Sequence, residues 1–295
     1  MTRAPQASQA GQFPGLVATD LDGTVVRSDG TLSDRTVAAL RAAQDAGCTV
    51  VFVTGRPPRW MRPIAERTGH AGLAVCANGA LVYDLSREEV VESFPLSTEV
   101  ALEIALRLRG ALPGAAFAVE SPAGFAREPG YLVRFDVGDH GVGELEELLD
   151  AAADGAVKML VRVGDGADGR GASDVDTLLA AAREVLGDLA EVTHSTPTGP
   201  PLLEVSAPGV SKATTLARLA AERGLTAADV LAFGDMPNDL PMLAWAGLSV
   251  AVANAHPEVL AAADHVTRSN DDDGVAYVLE HLLSHGTLEA WTSTG

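Results

Sequence analysis

Positive charge is what this chain most conspicuously lacks. Twenty-one Lys and Arg stand against forty Asp and Glu, a formal charge of −19. That balance argues against nucleic acid and an anionic membrane surface as partners. An anionic ligand would have to be met by locally placed cations or by a metal. Lysine is scarcer still, confined to Lys158 and Lys212, because arginine supplies nearly all the positive charge. Asparagine occurs at Asn78, Asn238, Asn254 and Asn270. A chain that avoids these two residues elsewhere keeps them where Arg or Asp cannot serve, and this points to those positions. Cysteine is limited to Cys48 and Cys76, far apart and each in an apolar strand-like run. They read as reduced, buried small hydrophobes of a cytoplasmic protein. No apolar run approaches the roughly 18 residues of a membrane span. The polar start, without an apolar h-region, reads as a disordered leader over residues 1–13 and not as a signal peptide. No protein partner is legible.

What is present is an alternation of strands and helices. At 295 residues the chain has room for two domains. An apolar run opens at Leu16. Ser33 is placed to cap a helix over Asp34 to Ala46 that Gly47 closes. Cys48 to Val53 is a continuous β-branched run, as in a strand covered on both faces, and Pro57-Pro58 start the next helix. Leu73 to Ala77 is a third strand. This rhythm predicts a parallel, doubly wound sheet. Near Tyr83 it breaks. Helices then begin near Ser97, Glu144 and Ser173, with strands at Ala115–Glu120, Tyr131–Val137, Val157–Val163 and Glu191–His194. Mixed order of this kind suggests an inserted α+β unit. Alternation resumes with a helix from Lys212, strands at Val230–Phe233, Leu248–Val252 and His265–Thr267, and a last helix from Gly274. The expected division is a discontinuous core of 14–84 plus 204–290, an inserted domain of 85–203 and a tail of 291–295.

The chemistry centres on Asp20-Leu21-Asp22-Gly23-Thr24, directly after the first apolar run. Ligands of an open α/β sheet bind beyond the carboxyl ends of its strands. Two carboxylates two residues apart need a cation or a shared proton. A solvated Asp-rich turn would carry the same residues. A calcium loop starting at Asp20 would want Gly and Glu where the chain has Val25 and Thr31. The seven histidines show no zinc-like spacing. Polar residues also end the other strand-like runs: Thr54, Asn78, Asp235 and Asn254. A parallel sheet gathers such ends at one edge, which Lys212 could reach from a helix start. Three carboxylates, a hydroxyl and a lysine suit a Mg²⁺ site that binds phosphate.

These residues resemble the haloacid dehalogenase-like phosphohydrolases. Asp20-Leu21-Asp22-Gly23-Thr24 is similar to the family's first motif, Thr54 in Val53-Thr54-Gly55-Arg56 to its second and Lys212 to its third. Gly234-Asp235-Met236-Pro237-Asn238-Asp239 is similar to the fourth. Ala77-Asn78-Gly79-Ala80, the stretch from Asn254 to Val259 and the stretch from Ser269 to Val275 resemble the Cof-type (IIB) subgroup. Ala213 departs from the glycine usual after the third-motif lysine, a matter of helix packing. The resemblance implies a Rossmann-like α/β core with an inserted cap of the C2 type, one that closes over the site and selects the leaving group.

It also implies roles. Asp20 is the expected nucleophile and Asp22 the general acid, which needs a proton at neutral pH in the substrate complex. Thr54, Gly55, Lys212 and Asn238 would hold the phosphoryl group. Asp20, Asp22 (through its backbone carbonyl), Asp235 and Asp239 would serve a Mg²⁺ ion. Arg56 and Asn78 are candidates for substrate contact, Arg56 balanced against a surface ion pair. Asn78, Asn254 and Asn270 are also read as loop-shaping. Lys158 is read as solvent-facing, Asp271–Asp273 as a solvated turn, and the tryptophans as packing residues. The implied function is a Mg²⁺-dependent phosphatase acting on a small phosphorylated metabolite through an aspartyl phosphate. A sugar phosphomutase of the same superfamily is the alternative within enzymes, and a non-catalytic phosphometabolite-binding protein the alternative outside them.

Overall fold

The computed structural model describes residues 13–133, 140–163, 174–194 and 201–288. The tail and all of the expected leader but Phe13 lie outside these residues. So does most of the strand expected at Tyr131–Val137, whose described part is not a strand. The chain forms two compact units, Met1–Glu89 with Lys212–Gly295, and Val90–Ser211.

In chain order, the first unit opens with β1 (Leu16–Thr19), α1 (Asp34–Asp45), β2 (Thr49–Val53), α2 (Arg62–Thr68), β3 (Leu73–Cys76) and β4 (Leu81–Asp84), leading to β5 (Glu89–Ser93). The second unit holds α3 (Thr98–Ala111), β6 (Ala115–Ser121), β7 (Gly124–Arg127), β8 (Gly141–Val142), α4 (Leu145–Ala151), β9 (Lys158–Val163), α5 (Val175–Leu186), β10 (Glu191–Thr193) and β11 (Leu203–Ser206). The first unit then continues with α6 (Lys212–Glu222), β12 (Val230–Gly234), α7 (Leu240–Trp245), β13 (Leu248–Ala251), α8 (Pro257–Ala262), β14 (His265–Val266) and α9 (Gly274–His285).

Local chemistry explains these elements. Ser33 accepts a hydrogen bond from the Thr36 amide (3.0 Å) and so caps α1, as its position in the sequence predicts. Ser97 does the same for α3 through Val100 (3.2 Å). The run of β2 is buried from Val50 to Val53, as a central strand covered on both faces must be.

One sheet runs in the order β14-β13-β12-β1-β2-β3-β4-β5. Pairings from β14 through to β3 are parallel, whereas β3 and β4 pair antiparallel. The doubly wound expectation therefore holds with an antiparallel extension after β3, which the sequence reading missed. From β1 the chain steps outward through β2 and β3, then returns to β12 on the other side of β1. That reversal, between β1 and β12, is where a sheet of this type opens a crevice for ligands.

The second unit has its own sheet, in the order β10-β11-β9-β6-β7-β8. Phe117, Val119, Met159 and Val161 pack with Ile104, Leu108, Leu148 and Leu179 into one core. Alternation along the strands sends Ala118 to the other face, where it packs with Phe125 and Tyr131. Two expectations are corrected here. Residues 203–206 form β11 of this sheet, so the return to the first unit comes at Lys212 and not at 204. Lys158 is buried, and its Nζ donates to Glu204 Oε1 at 2.6 Å. A lone lysine in a sequence reads as solvent-facing until the strand opposite supplies its acid.

Candidate active site

Asp20 lies one residue beyond β1, and its amide donates to the Phe233 carbonyl of β12 (3.1 Å). Asp235 lies one residue beyond β12. The two carboxylates therefore flank the reversal point of the sheet, and both are buried. Lys212, the first residue of α6, is 1% exposed. Its Nζ donates to Asp20 Oδ1 and to Asp239 Oδ1, each at 2.7 Å. Asp239 is fully buried, and its Oδ2 accepts the amides of Asp235 and Met236 at 3.0 Å. One carboxylate thus fixes both the lysine and the turn that presents Asp235.

Asp20, Asp235 and Asp239 can each direct an oxygen to a common point, with those oxygens within 4.8 Å of one another. One ammonium serves three buried acids, and the protonation equilibria follow from that shortage. Burial pushes the Asp20 carboxyl up to about 7; Lys212 opposes the rise while Asp239 and Asp22 add to it. Asp235 is pushed up to about 9, first by burial and then by Asp20 and Asp239. Burial works against charge on Lys212, but Asp20 and Asp239 outweigh it and hold its pKa above the ordinary lysine value. A hard dication would supply the positive charge the cluster lacks.

Gly23 makes the turn between these acids sterically feasible. Its φ is +83°, and a Cβ there would lie 2.2 Å from Asp235 Oδ2. Thr24, to which the sequence reading gave no role of its own, donates from Oγ1 to Asp235 Oδ1 (3.0 Å). Its place in the first motif was the available signal. The loop that follows is tied down from the far end of the chain. Asn254 donates to the Gly23 carbonyl (2.8 Å) and Asn270 to that of Val26 (2.9 Å). Asp271 accepts from both the amide and the hydroxyl of Ser28 at 2.8 Å, and Asp273 from Arg27 Nη2 at 2.9 Å. Asn254 and Asn270 shape loops, as expected. The acidic run is a turn exposed at Asp271 and Asp272, as the sequence suggested, and it also straps Arg27 and Ser28.

Asp22 sits apart from the buried acids. Its carboxylate is about half exposed and is met by Arg56, with Nε on Oδ2 at 2.7 Å and Nη2 on Oδ1 at 2.5 Å. Burial works against charge on Arg56, yet the hydrogen bonds and charge of Asp22 leave its pKa raised. Thr54 is fully buried, and its Oγ1 accepts the Arg56 amide at 3.0 Å. Gly55, between them, is partly buried. Asn78, in the left-handed region at φ 58°, donates its amide to the Thr54 carbonyl (3.0 Å). Asn238 Nδ2 donates to Asn78 Oδ1 (3.1 Å), with both side chains buried. Among the described residues this pair leaves Asn78 Nδ2 and Asn238 Oδ1 without a hydrogen-bond partner, a donor and an acceptor able to meet a ligand.

The structure thus joins Asp20, Lys212, Asp235 and Asp239 directly, and links Thr54, Arg56 and Asp22 in a second chain of contacts. The Asp22 carboxylate is not part of the three-acid cluster.

The chain is similar to known proteins over most of its length. A profile of the haloacid dehalogenase-like hydrolases matches residues 17–117 and 172–279. The chain is 29% identical over 276 residues to the 5-amino-6-(5-phospho-D-ribitylamino)uracil phosphatase YcsE of Bacillus subtilis, covering 91% of this chain and 95% of that protein. It is 26% identical over 278 residues to the pyridoxal phosphate phosphatase YbhA of Escherichia coli, covering 91% and 98%. Among solved structures, a haloacid dehalogenase-like hydrolase from Bacteroides thetaiotaomicron superposes with a TM-score of 0.70 at 26% identity, covering 92% of this chain and all of that one (100%).

Proposed function

The chain belongs to the haloacid dehalogenase-like hydrolases, and from that membership we propose that it is a Mg²⁺-dependent phosphatase of small phosphorylated metabolites. The observation that carries the reading is Lys212, buried and shared between Asp20 and Asp239, beside Asp235. A buried lysine with two acids holds a cation where a phosphoryl group would need one, and leaves an excess of hard oxygen donors. Those donors fit Mg²⁺, with Asp20, Asp235 and Asp239 as the residues that would hold it. When bound, Mg²⁺ would screen the phosphate from the carboxylates and polarise its oxygens.

The chain's own groups then divide the work. Asp20 attacks phosphorus in line, the bond to the leaving oxygen breaks, and an aspartyl phosphate forms on Asp20. Asp22 gives a proton to the leaving oxygen and takes one from the water that cleaves the aspartyl phosphate. Lys212, Thr54, Gly55 and Asn238 hold the phosphoryl oxygens as charge redistributes. Asn238 keeps one Nδ2 hydrogen beyond its bond to Asn78, and Asn78 Nδ2 has no partner among the described residues, so both can donate to phosphoryl oxygens. The two curated relatives are named for a ribitylaminouracil phosphate and for pyridoxal phosphate, and this supports the class of small phosphorylated metabolite.

A panel of such metabolites, assayed for phosphate release with Mg²⁺ and with chelator, tests the reading. Turnover should require the metal, and Asp20→Asn should abolish it with the circular dichroism spectrum unchanged. Turnover retained in Asp20→Asn would refute the nucleophile. With a hexose phosphate, free phosphate is the expected product; an isomerised sugar phosphate would indicate a mutase instead.

A further inference from the structure

We propose that Arg56 is the positioning residue of Asp22, holding the leaving-group acid in one orientation. The inference rests on the hydrolase reading above and adds to it. Asp22 lies within the turn that Leu21 opens, and its side chain is 57% exposed, so water meets most of its carboxylate. Arg56 sets the orientation of that carboxylate. Its Nε and Nη2 meet the two carboxylate oxygens at 2.7 and 2.5 Å, a fork that fixes both the position and the plane of the carboxylate. A single hydrogen bond would leave the carboxylate free to rotate.

The fork is itself rooted. The Arg56 amide is held by the buried Thr54 hydroxyl, and the Arg56 carbonyl accepts the Ala77 amide at 3.0 Å. The arginine therefore swings from a backbone fixed at both of its polar groups, with a side chain only 20% exposed. Arg56 was a candidate for contact with the substrate. The geometry gives its fork to Asp22 instead, so its effect on the reaction would pass through proton transfer. In the leaving step Asp22 carries its proton on one carboxylate oxygen while the fork holds the plane. As the bond from phosphorus breaks, its electron pair goes to the leaving oxygen and that proton follows. Asp22 regains one from the water that cleaves the aspartyl phosphate. Misalignment of that proton matters in proportion to how poorly the oxygen leaves unprotonated.

The test compares two substrates in one protein. Glycerol phosphate has an alkoxide leaving group that needs the proton, while p-nitrophenyl phosphate expels a stabilised phenolate. Arg56→Gln should lower kcat for glycerol phosphate by about a hundredfold, and by at least about tenfold more than for the aryl ester. Asp22→Asn should show the same bias. The double variant should be no worse than Asp22→Asn alone on glycerol phosphate, since the two residues act as one unit. Arg56→Lys keeps the charge without the fork and should fall between wild type and Arg56→Gln, so it carries the test if Arg56→Gln fails to fold. Equal losses on both substrates, or a rise in KM shared by both, would overturn the proposal and restore Arg56 as a phosphate contact. Turnover by Asp20→Asn, or an unbiased Asp22→Asn, would instead bring down the hydrolase reading beneath it.

Discussion

At the scale of the residue, the site is a charge imbalance kept in place by one lysine. Asp20 and Asp235 are raised from the ordinary aspartate value of 3.8 to about 7 and about 9. A carboxyl whose folded pKa lies above its unfolded value binds its proton more tightly in the folded state. Its contribution to stability is complete below the unfolded pKa and is lost as pH rises through the folded one. Metal-free protein should therefore lose stability from these two groups between about pH 4 and about pH 9. Mg²⁺ supplies charge only to ionised acids, so the rise in Tm on adding it should be larger near pH 8 than near pH 5. Thermal shift with and without the ion checks this. A rise that is equal at both, or larger in acid, would contradict it.

At the scale of the element, two features depend on close approach across strands. The turn after β1 exists because Gly23 has no Cβ to meet Asp235. Gly23→Ala should displace that carboxylate and weaken Mg²⁺ binding by at least about tenfold, read by calorimetric titration. Wild-type affinity in that variant would show that the turn has room to spare. In the second sheet, the buried Lys158–Glu204 pair should behave as buried ion pairs do. Lys158→Met alone should cost about 3–5 kcal/mol in urea unfolding, because it strands the glutamate. Adding Glu204→Leu should recover part of that loss, since the stranded acid is then gone while Glu120, opposite Lys158 in the sheet, stays buried. A double variant as unstable as the single one would mean the pair has further obligations on that face.

At the scale of the whole molecule, the chain leaves its first sheet after β5, builds a second sheet with a separate apolar core, and returns at Lys212. A unit with its own core should fold alone. Residues 90–211 expressed separately should unfold cooperatively, at a Tm that Mg²⁺ does not move. A sloping, non-cooperative transition would show that its core is incomplete by itself. The three acids of the cluster lie in the other unit, which is why the metal should leave this one untouched. Among the described residues, no helix is long and apolar enough to cross a membrane.

Much of this could be read from the chain. Strands with three to five buried apolar residues in a row, such as β1, β2 and β12, announce themselves because a central parallel strand must be apolar on both faces. The carboxylates and the lysine at their ends stand out against that background, and the Ser33 cap is a local matter that sequence settles. Of the elements that escaped notice, β5 has no fully buried residue and β8 is two exposed residues long, while β11 is buried throughout but mixes Glu204 and Ser206 with its apolar residues. Their pairing is decided by partners elsewhere. The same holds for the contacts that give the site its form. Lys212 meets Asp20 across 192 positions, Arg56 meets Asp22 across 34, and Lys158 finds Glu204 across 46. A charge in a sequence carries no sign of whether it will meet water or a buried acid. The sequence by itself named the residues that the proposed reading puts to chemical use. Tertiary structure decided which of them touch, because burial and pairing depend on distances that only the folded chain defines.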